Sequence, residues 1–194
     1  QLKWDLGEKN TLFIHLTLIP YLASAGELKT KPTQHSVKQL SESGIQPDIL
    51  VCRTEHPLPQ EMKKKIGLFC NVSEADVIEA RDASTIYEVP LLMKEERLDS
   101  RVLYKLDIYN DKESNLKNWT SFLSKLQNPK FEINIGLIGK YVELKDSYKS
   151  IAEAFIHAGA ANETKVNIVS VHSEYIDRNN VAEKLSDFDG VLVA

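Results

Sequence analysis

Short β-branched, apolar segments alternate with segments of helical periodicity along this chain, and this alternation constrains the fold more than any other feature. The segment TLFIHLTLI at residues 11–19 has the length and composition of a strand, and Pro20 ends it. A helix pattern begins at Pro32 and ends near Ser43, and Gly44 stands where a C-terminal glycine cap belongs. Alternation of this kind predicts an α/β fold with a parallel, doubly wound sheet.

The alternation occurs twice, which predicts two domains with such a sheet in both. In the first part we predict strands at 11–19, 48–52 and 77–78, and helices at 32–43, 59–69 and, in at least two pieces, 91–105. In the second part we predict strands at 131–139, 166–171 and 191–193, and helices at 146–158 and 180–185. A polar run at 109–114 and an amphipathic helix at 116–126 lie between them. The predicted domains are therefore 1–108 and 130–194, joined by a linker helix within 109–129.

Composition and charge exclude several classes of protein. The formal net charge of -4, with 27% charged residues, excludes a basic nucleic-acid arm and is too ordinary for a disordered acidic tail. No apolar run approaches the roughly 18 residues of a membrane span. Cys52 and Cys70 are too few for a disulfide framework or a four-cysteine zinc site. We expect a cytoplasmic protein that binds neither nucleic acid nor membrane, and the ends of the chain suggest a piece of a longer protein.

The segment GELKTKPTQH at 26–35 has the richest chemistry, because it follows a strand and opens a helix. Open α/β sheets bind ligands beyond the carboxyl ends of their strands, which is where this segment falls. Its two lysines, two threonines and glutamine lie beside the amides of a helix start, a combination that suits an anion such as a triphosphate. A solvated loop that leads into a proline-started helix is the alternative that the residues alone leave open.

Other polar residues give weaker indications. The lysines at 63–65 are typical of a solvated helix face, although Lys65 falls between Met62 and Phe69 and could point in another direction. Both cysteines suit small buried side chains. Paired carboxylates, a Walker-type glycine loop and a nucleophile elbow are not found in the sequence. We therefore assign no catalytic residue and no metal ligand from these residues.

Several strings of the chain are similar to the cytidine triphosphate (CTP) synthase family, in order and over essentially the whole length. These strings are AGELKTKPTQHSV at 25–37, GIQPD at 44–48, LFCNV at 68–72, STIYEVP at 84–90 and GKYVEL at 139–144. The resemblance implies that 1–108 is the C-terminal part of a synthetase (amidoligase) domain. It also implies that 130–194 is the start of a class I glutamine amidotransferase domain.

The resemblance further implies a ligase of pyrimidine nucleotide biosynthesis that makes CTP from UTP. In the family, ATP phosphorylates the uracil 4-oxygen, and ammonia from glutamine hydrolysis displaces that phosphate. CTP is a feedback inhibitor, GTP is an activator, the enzyme is a homotetramer, and the reaction needs Mg²⁺. The Mg²⁺ ligands and the glutaminase catalytic residues are expected outside this chain, so we expect these residues alone to be inactive. A non-catalytic nucleotide-binding or assembly module of the same ancestry is the alternative, and a receiver-like or scaffold protein is a third.

By the same resemblance, particular residues acquire expected roles. The residues implied to contact the phosphates of UTP and CTP are Lys29, Thr30, Lys31, Pro32, Thr33, Gln34 and Lys65. The adenine side of the ATP site falls on Arg81, Asp82 and Ala83, where Arg81 replaces the lysine usual in the family.

Overall fold

The computed structural model describes residues 2–109, 112–144 and 146–194, and the chain divides into two compact units. Unit 1 is Gln1–Asn115 and unit 2 is Leu116–Ala194. Asn110 and Asp111, which belong to the predicted linker, lie outside the described residues.

Unit 1 contains ten α-helices and β-strands in its described part, besides three short 3-10 helices. They are α1 (Leu2–Leu6), β1 (Ile14–Ile19), β2 (Tyr21–Leu22), β3 (Glu27–Leu28), α2 (Lys31–Glu42), β4 (Ile49–Thr54), α3 (Gln60–Cys70), β5 (Val77–Arg81), α4 (Val89–Glu95) and α5 (Leu98–Lys105). Strands β1, β4 and β5 form a parallel sheet in that order, with α2 and α3 as the intervening helices. The predicted α/β architecture with a parallel sheet is confirmed.

The core of unit 1 lies on both faces of this sheet, because successive side chains of a strand point to opposite faces. On one face, Leu50 and Cys52 of β4 pack with Val37 of α2 and Ile66 of α3. The opposite face carries Ile49, Val51 and Ile78, and it packs against Met93, Leu98 and Val102 of α4 and α5. Each fully buried aliphatic side chain of this kind contributes about 1.5–3 kcal/mol.

Strand β1 is at one edge of the described sheet. Its burial alternates along the chain, because side chains on one face are buried and those on the other are exposed. Ile19 is fully buried, whereas Leu16 and Leu18 on the other face are 65% and 56% exposed. In α3, Phe69 is also largely exposed, although it shares a predicted helix face with buried Ile66. The buried side of α3 instead continues through Gly67 and Cys70.

A short hairpin occupies part of the segment predicted as a loop at 21–31. Strands β2 and β3 pair antiparallel, with Tyr21 opposite Leu28 and Leu22 opposite Glu27. The carbonyl of Leu22 accepts hydrogen bonds from the amides of Ala25 and Gly26, and Gly26 has a φ of 65°, which a glycine adopts without strain. Two residues per strand are too few to produce a periodic pattern, so the sequence analysis missed the hairpin.

Unit 2 contains a second parallel α/β arrangement. Its described elements are α6 (Lys117–Gln127), β6 (Phe131–Gly139), α7 (Lys149–Ala161), β7 (Thr164–His172), α8 (Val181–Lys184) and β8 (Gly190–Val193). The strand order is β7-β6-β8, so the chain adds strands to both sides of its first strand, which is the reversal typical of a doubly wound sheet. Helix α7 begins at Lys149, three residues after the predicted start, because residues 146–148 form a turn.

Among the described residues, none of the helices has the length and apolar character needed to cross a membrane.

Candidate anion-binding site

The candidate site lies at the carboxyl edge of the sheet in unit 1. Ile19 of β1 is in register with Thr54 of β4, which is in register with Arg81 of β5, so the three strands end at the same level. The segment after β1 and the end of β5 contain the residues to which sequence analysis assigned binding roles, except Lys65, which is on α3. In open parallel sheets this edge is the usual place for a ligand.

The β2–β3 hairpin carries the chain from the end of β1 to the start of α2. The amide of Lys29 donates to the carbonyl of Pro20 at 2.9 Å, which closes the hairpin at its base. Leu28 is half-buried and packs against the core face formed by α2 and α3. Lys29 and Thr30 are therefore held close to the end of β1.

Helix α2 begins without a side-chain cap. Thr30 is its N-cap residue but makes no capping hydrogen bond with its side chain. Its hydroxyl instead accepts a hydrogen bond from the Gln34 side-chain amide at 3.2 Å. Pro32 lies in the first turn, where the lack of an N–H costs nothing. The positive end of the helix dipole is thus available to an anion.

Thr33 faces the core, unlike its neighbours. It is fully buried, and its hydroxyl donates to the Leu18 carbonyl at 3.0 Å and lies 3.2 Å from the Thr17 hydroxyl. This contact attaches the first turn of α2 to β1. Lys31 and Pro32 are exposed, and Gln34 is half-buried.

Two lysines of the site, Lys29 and Lys65, interact with an acidic residue of the hairpin, Glu27. Lys29 forms an ion pair with the Glu27 carboxylate. The hydrogen bond from Lys29 lowers the pKa of Glu27 most, the charge of Lys29 lowers it further, and the charge of Lys65 adds a smaller decrease. Lys65, on α3, therefore acts on the same hairpin carboxylate as Lys29.

The three consecutive lysines of α3 have different surroundings. Lys63 pairs with Glu96 at 2.7 Å, and that carboxylate also accepts the amide of Glu79. Lys64 pairs with Glu61 at 3.5 Å on an exposed helix face. Lys65 influences Glu27, as described above. Lys65 thus has a different acidic neighbour from Lys63 and Lys64, and its role at a phosphate site stays a prediction.

Arg81 is the last residue of β5, and Asp82 and Ala83 follow it; β4 lies between this strand and β1. The amide of Asp82 donates to the Thr54 carbonyl at 2.9 Å, and its carboxylate accepts from Arg53 Nε at 3.1 Å. Arg81 is partly exposed, and its Nε lies 3.9 Å from a Glu79 carboxylate oxygen. These residues are on the same sheet edge as the α2 start, at the far strand.

Two features of this edge were missed by sequence analysis. Glu27 received no role, although its two-residue spacing from Lys29 is the spacing that puts both on one side of a strand. The rings of Tyr21 and His56 lie 4.1 Å apart, which joins the hairpin to the loop after β4. No sequence pattern signals that second contact, because 35 residues separate its partners.

The described residues contain no group of three or more His, Cys, Asp or Glu side chains that could hold a metal ion.

Both cysteines are buried thiols. Desolvation by burial raises the pKa of Cys52 to about 11, with the contact from the Thr17 hydroxyl acting in the opposite direction. Burial also raises the pKa of Cys70. A high pKa removes the thiolate that a nucleophile or a metal ligand requires.

We expect Cys52 to resist alkylation in the folded protein. At pH 8 a thiol with this pKa is only about 0.1% thiolate, so its reaction with iodoacetamide should be at least about 100-fold slower than that of a free cysteine. Peptide mass spectrometry after timed labelling, with and without urea, measures this difference. Rapid labelling of Cys52 without urea would contradict the description of this thiol as buried.

Comparison with known proteins gives consistent matches. The family model for the N-terminus of CTP synthase matches residues 1–108. The chain is 66% identical to the CTP synthase of Flavobacterium johnsoniae and 62% identical to that of Cytophaga hutchinsonii, over all 194 residues in each case. It is 53% identical over 199 aligned positions to the CTP synthase of Methanocaldococcus jannaschii, again with the whole chain covered. The chain spans about 36% of the length of the two bacterial relatives and 37% of the archaeal one.

Proposed function

The chain belongs to the CTP synthase family, and from this premise we propose that the protein containing it is a ligase that makes CTP from UTP. In the proposed reaction ATP phosphorylates the uracil 4-oxygen, and ammonia released from glutamine displaces the phosphate. The observation that carries the proposal is the presence of Lys29 and Lys31 at the uncapped start of α2, with Lys65 acting on the same hairpin. The relatives named CTP synthase support it, since they match the whole chain.

We propose that this site holds the triphosphate of UTP and of CTP. A nucleoside triphosphate carries about four negative charges, which three lysines and a helix start can neutralise together. Lys29, Lys31 and Lys65 would supply the charge, while Thr30, Pro32 and Gln34 would line the helix start. Thr33 would act indirectly, by holding that turn against β1. Because UTP and CTP share the same triphosphate, such a site would bind both, and we propose that CTP inhibits the enzyme by competing with UTP there.

We propose a second nucleotide contact at Arg81, Asp82 and Ala83, on the adenine side of ATP. Their position at the end of β5 supports this, because the same sheet edge then serves both nucleotides. Arg81 keeps the positive charge of the lysine usual in the family. Arg53 holds Asp82 in place through their ion pair.

For the rest of the protein we propose the organisation that the family implies. Residues 130–194 would begin a class I glutamine amidotransferase domain, and α6 would belong to the linker that leads into it. The glutaminase residues and the Mg²⁺ ligands would come from other parts of the protein. With such a domain, glutamine would be a substrate of the protein. We also propose that the protein is a cytoplasmic homotetramer and that GTP activates it.

The proposed phosphate site can be tested in the full-length protein. Lys31→Ala and Lys65→Ala should each raise the KM for UTP about tenfold, since each removes one charge-assisted contact to phosphate. CTP formation is followed by its absorbance change, with saturating ATP and glutamine. The KM for glutamine should stay unchanged.

Lys38→Ala is the matched control, because Lys38 lies on α2 but pairs with Glu42 at the far end of the helix. Its KM for UTP should stay within about twofold of wild type. If Lys31→Ala and Lys65→Ala behave like Lys38→Ala, the proposed phosphate site is wrong. If the unaltered protein does not form CTP, the proposed activity is wrong.

A further inference from the structure

Glu27 places a negative charge inside the proposed phosphate site. Its carboxylate is paired with the Lys29 ammonium, and the charge of Lys65 also acts on it. The position is fixed by the hairpin, because Leu22 pairs with Glu27 and the Lys29 amide is bonded to the Pro20 carbonyl. A carboxylate held among lysines that are to bind phosphate opposes that binding.

A phosphate group could readily replace Glu27 as the partner of Lys29. The side chains of Lys29 and Glu27 are 39% and 55% exposed, so water reaches both partners. An exposed ion pair is worth little, and a phosphate group can replace the carboxylate on the same ammonium. The hairpin backbone keeps Glu27 beside the site, so its carboxylate can return to Lys29 when the nucleotide leaves.

We infer that Glu27 is an internal competitor of the nucleotide phosphates for Lys29, and that this competition weakens the binding of UTP and CTP alike. The inference rests on the proposed function of the site. It makes Glu27 an affinity-setting residue with no part in the chemical step. Because substrate and product share the triphosphate, Glu27 should change affinity for both by the same factor and leave their ratio unchanged.

The test is Glu27→Gln in the full-length protein, which keeps the shape of the side chain and removes its charge. We expect the dissociation constants of UTP and CTP to decrease together by about three- to tenfold, as a competing charge disappears. The direction is diagnostic, because a purely structural role of Glu27 in the hairpin would weaken binding when lost. Equilibrium titration gives both constants, and thermal unfolding verifies that the variant is folded.

Glu42→Gln is the matched control. Glu42 also pairs with a lysine, Lys38, but it lies at the other end of α2, about 16 Å from Lys31 along the helix. This change alters net charge equally and should shift nucleotide binding by less than about twofold. A double-mutant cycle adds the second arm: in a Lys29→Ala background, Glu27→Gln should lose most of its effect.

The outcomes separate the inference from the proposed function. If Lys29→Ala weakens UTP binding while Glu27→Gln either has no effect on UTP binding or weakens it, the inference is wrong and the phosphate site stands. The inference is also wrong if Glu27→Gln and Glu42→Gln increase nucleotide affinity equally. It is wrong, too, if Glu27→Gln increases affinity as much in the Lys29→Ala background as in the unaltered protein. If UTP binding does not respond to Lys29, Lys31 or Lys65, the phosphate site is wrong and the inference fails with it.

Discussion

Full-length protein with both Lys29→Ala and Lys31→Ala is expected to bind UTP about 100- to 1000-fold more weakly than the unaltered protein. Each lysine would contribute a charge-assisted contact of about 1.5–2 kcal/mol, and the two losses together correspond to two to three powers of ten. The two residues flank Thr30 at the start of α2, so both would act on the same triphosphate. Direct titration with UTP measures the loss.

The control for this prediction removes two lysines that lie elsewhere on α2 and α3. Lys38 of α2 and Lys64 of α3 pair with Glu42 and Glu61, and both lysine side chains are largely exposed. Replacing both with alanine should change UTP binding by less than about threefold at physiological ionic strength, where the Debye length is about 8 Å. Comparable losses in the two double variants would mean that net charge alone attracts the nucleotide.

Asp76→Ala is expected to destabilise unit 1 by about 3 kcal/mol, the largest effect on stability that we expect from losing one carboxylate among the ion pairs of the described residues. The Asp76 side chain is 1% exposed, and one of its oxygens accepts from Arg101 Nε at 2.8 Å and Nη2 at 2.7 Å. The other oxygen lies 2.8 Å from Lys105 Nζ. Without the carboxylate, two cations of α5 that are only 25% and 23% exposed lose their ion pairs with Asp76, and α5 loses its attachment to the turn before β5.

Thermal unfolding of the full-length protein measures this change, with an expected decrease in the unit 1 transition on the order of 10 °C. Asp82→Ala is the matched control, because Asp82 also pairs with an arginine but is exposed. It should cost less than about 1 kcal/mol. A transition for Asp76→Ala within about 2 °C of the control would contradict the importance of the buried cluster.

The regular elements of the fold could be predicted because local sequence determines them. Pro32 and Gly44 marked α2 to within two residues at each end, and the apolar run at 131–139 marked β6 at the observed residues. Contacts between distant residues could not be predicted in this way. Asp76 meets Arg101 across 25 positions, and no local pattern indicates that the two are partners.

In the candidate site, too, local features could be predicted and contacts between distant residues could not. Its place at the carboxyl edge followed from the parallel topology, and its lysines were visible in the sequence. The partner of Lys63 could not be predicted, because Glu96 comes from the segment after α4. The inward orientation of Thr33 was within reach of sequence reasoning, since Val37 is one helical turn later and is also buried.

The attachment of Thr33 to β1 has a thermodynamic consequence. Because the first turn of α2 is ordered before any nucleotide arrives, binding does not have to supply the conformational entropy of forming it. By thermodynamic linkage, nucleotide binding and the folding of unit 1 then stabilise each other. Core changes beneath α2 would weaken nucleotide binding without touching the ligand, and nucleotide bound to this site would raise the melting temperature of the sheet on which it rests.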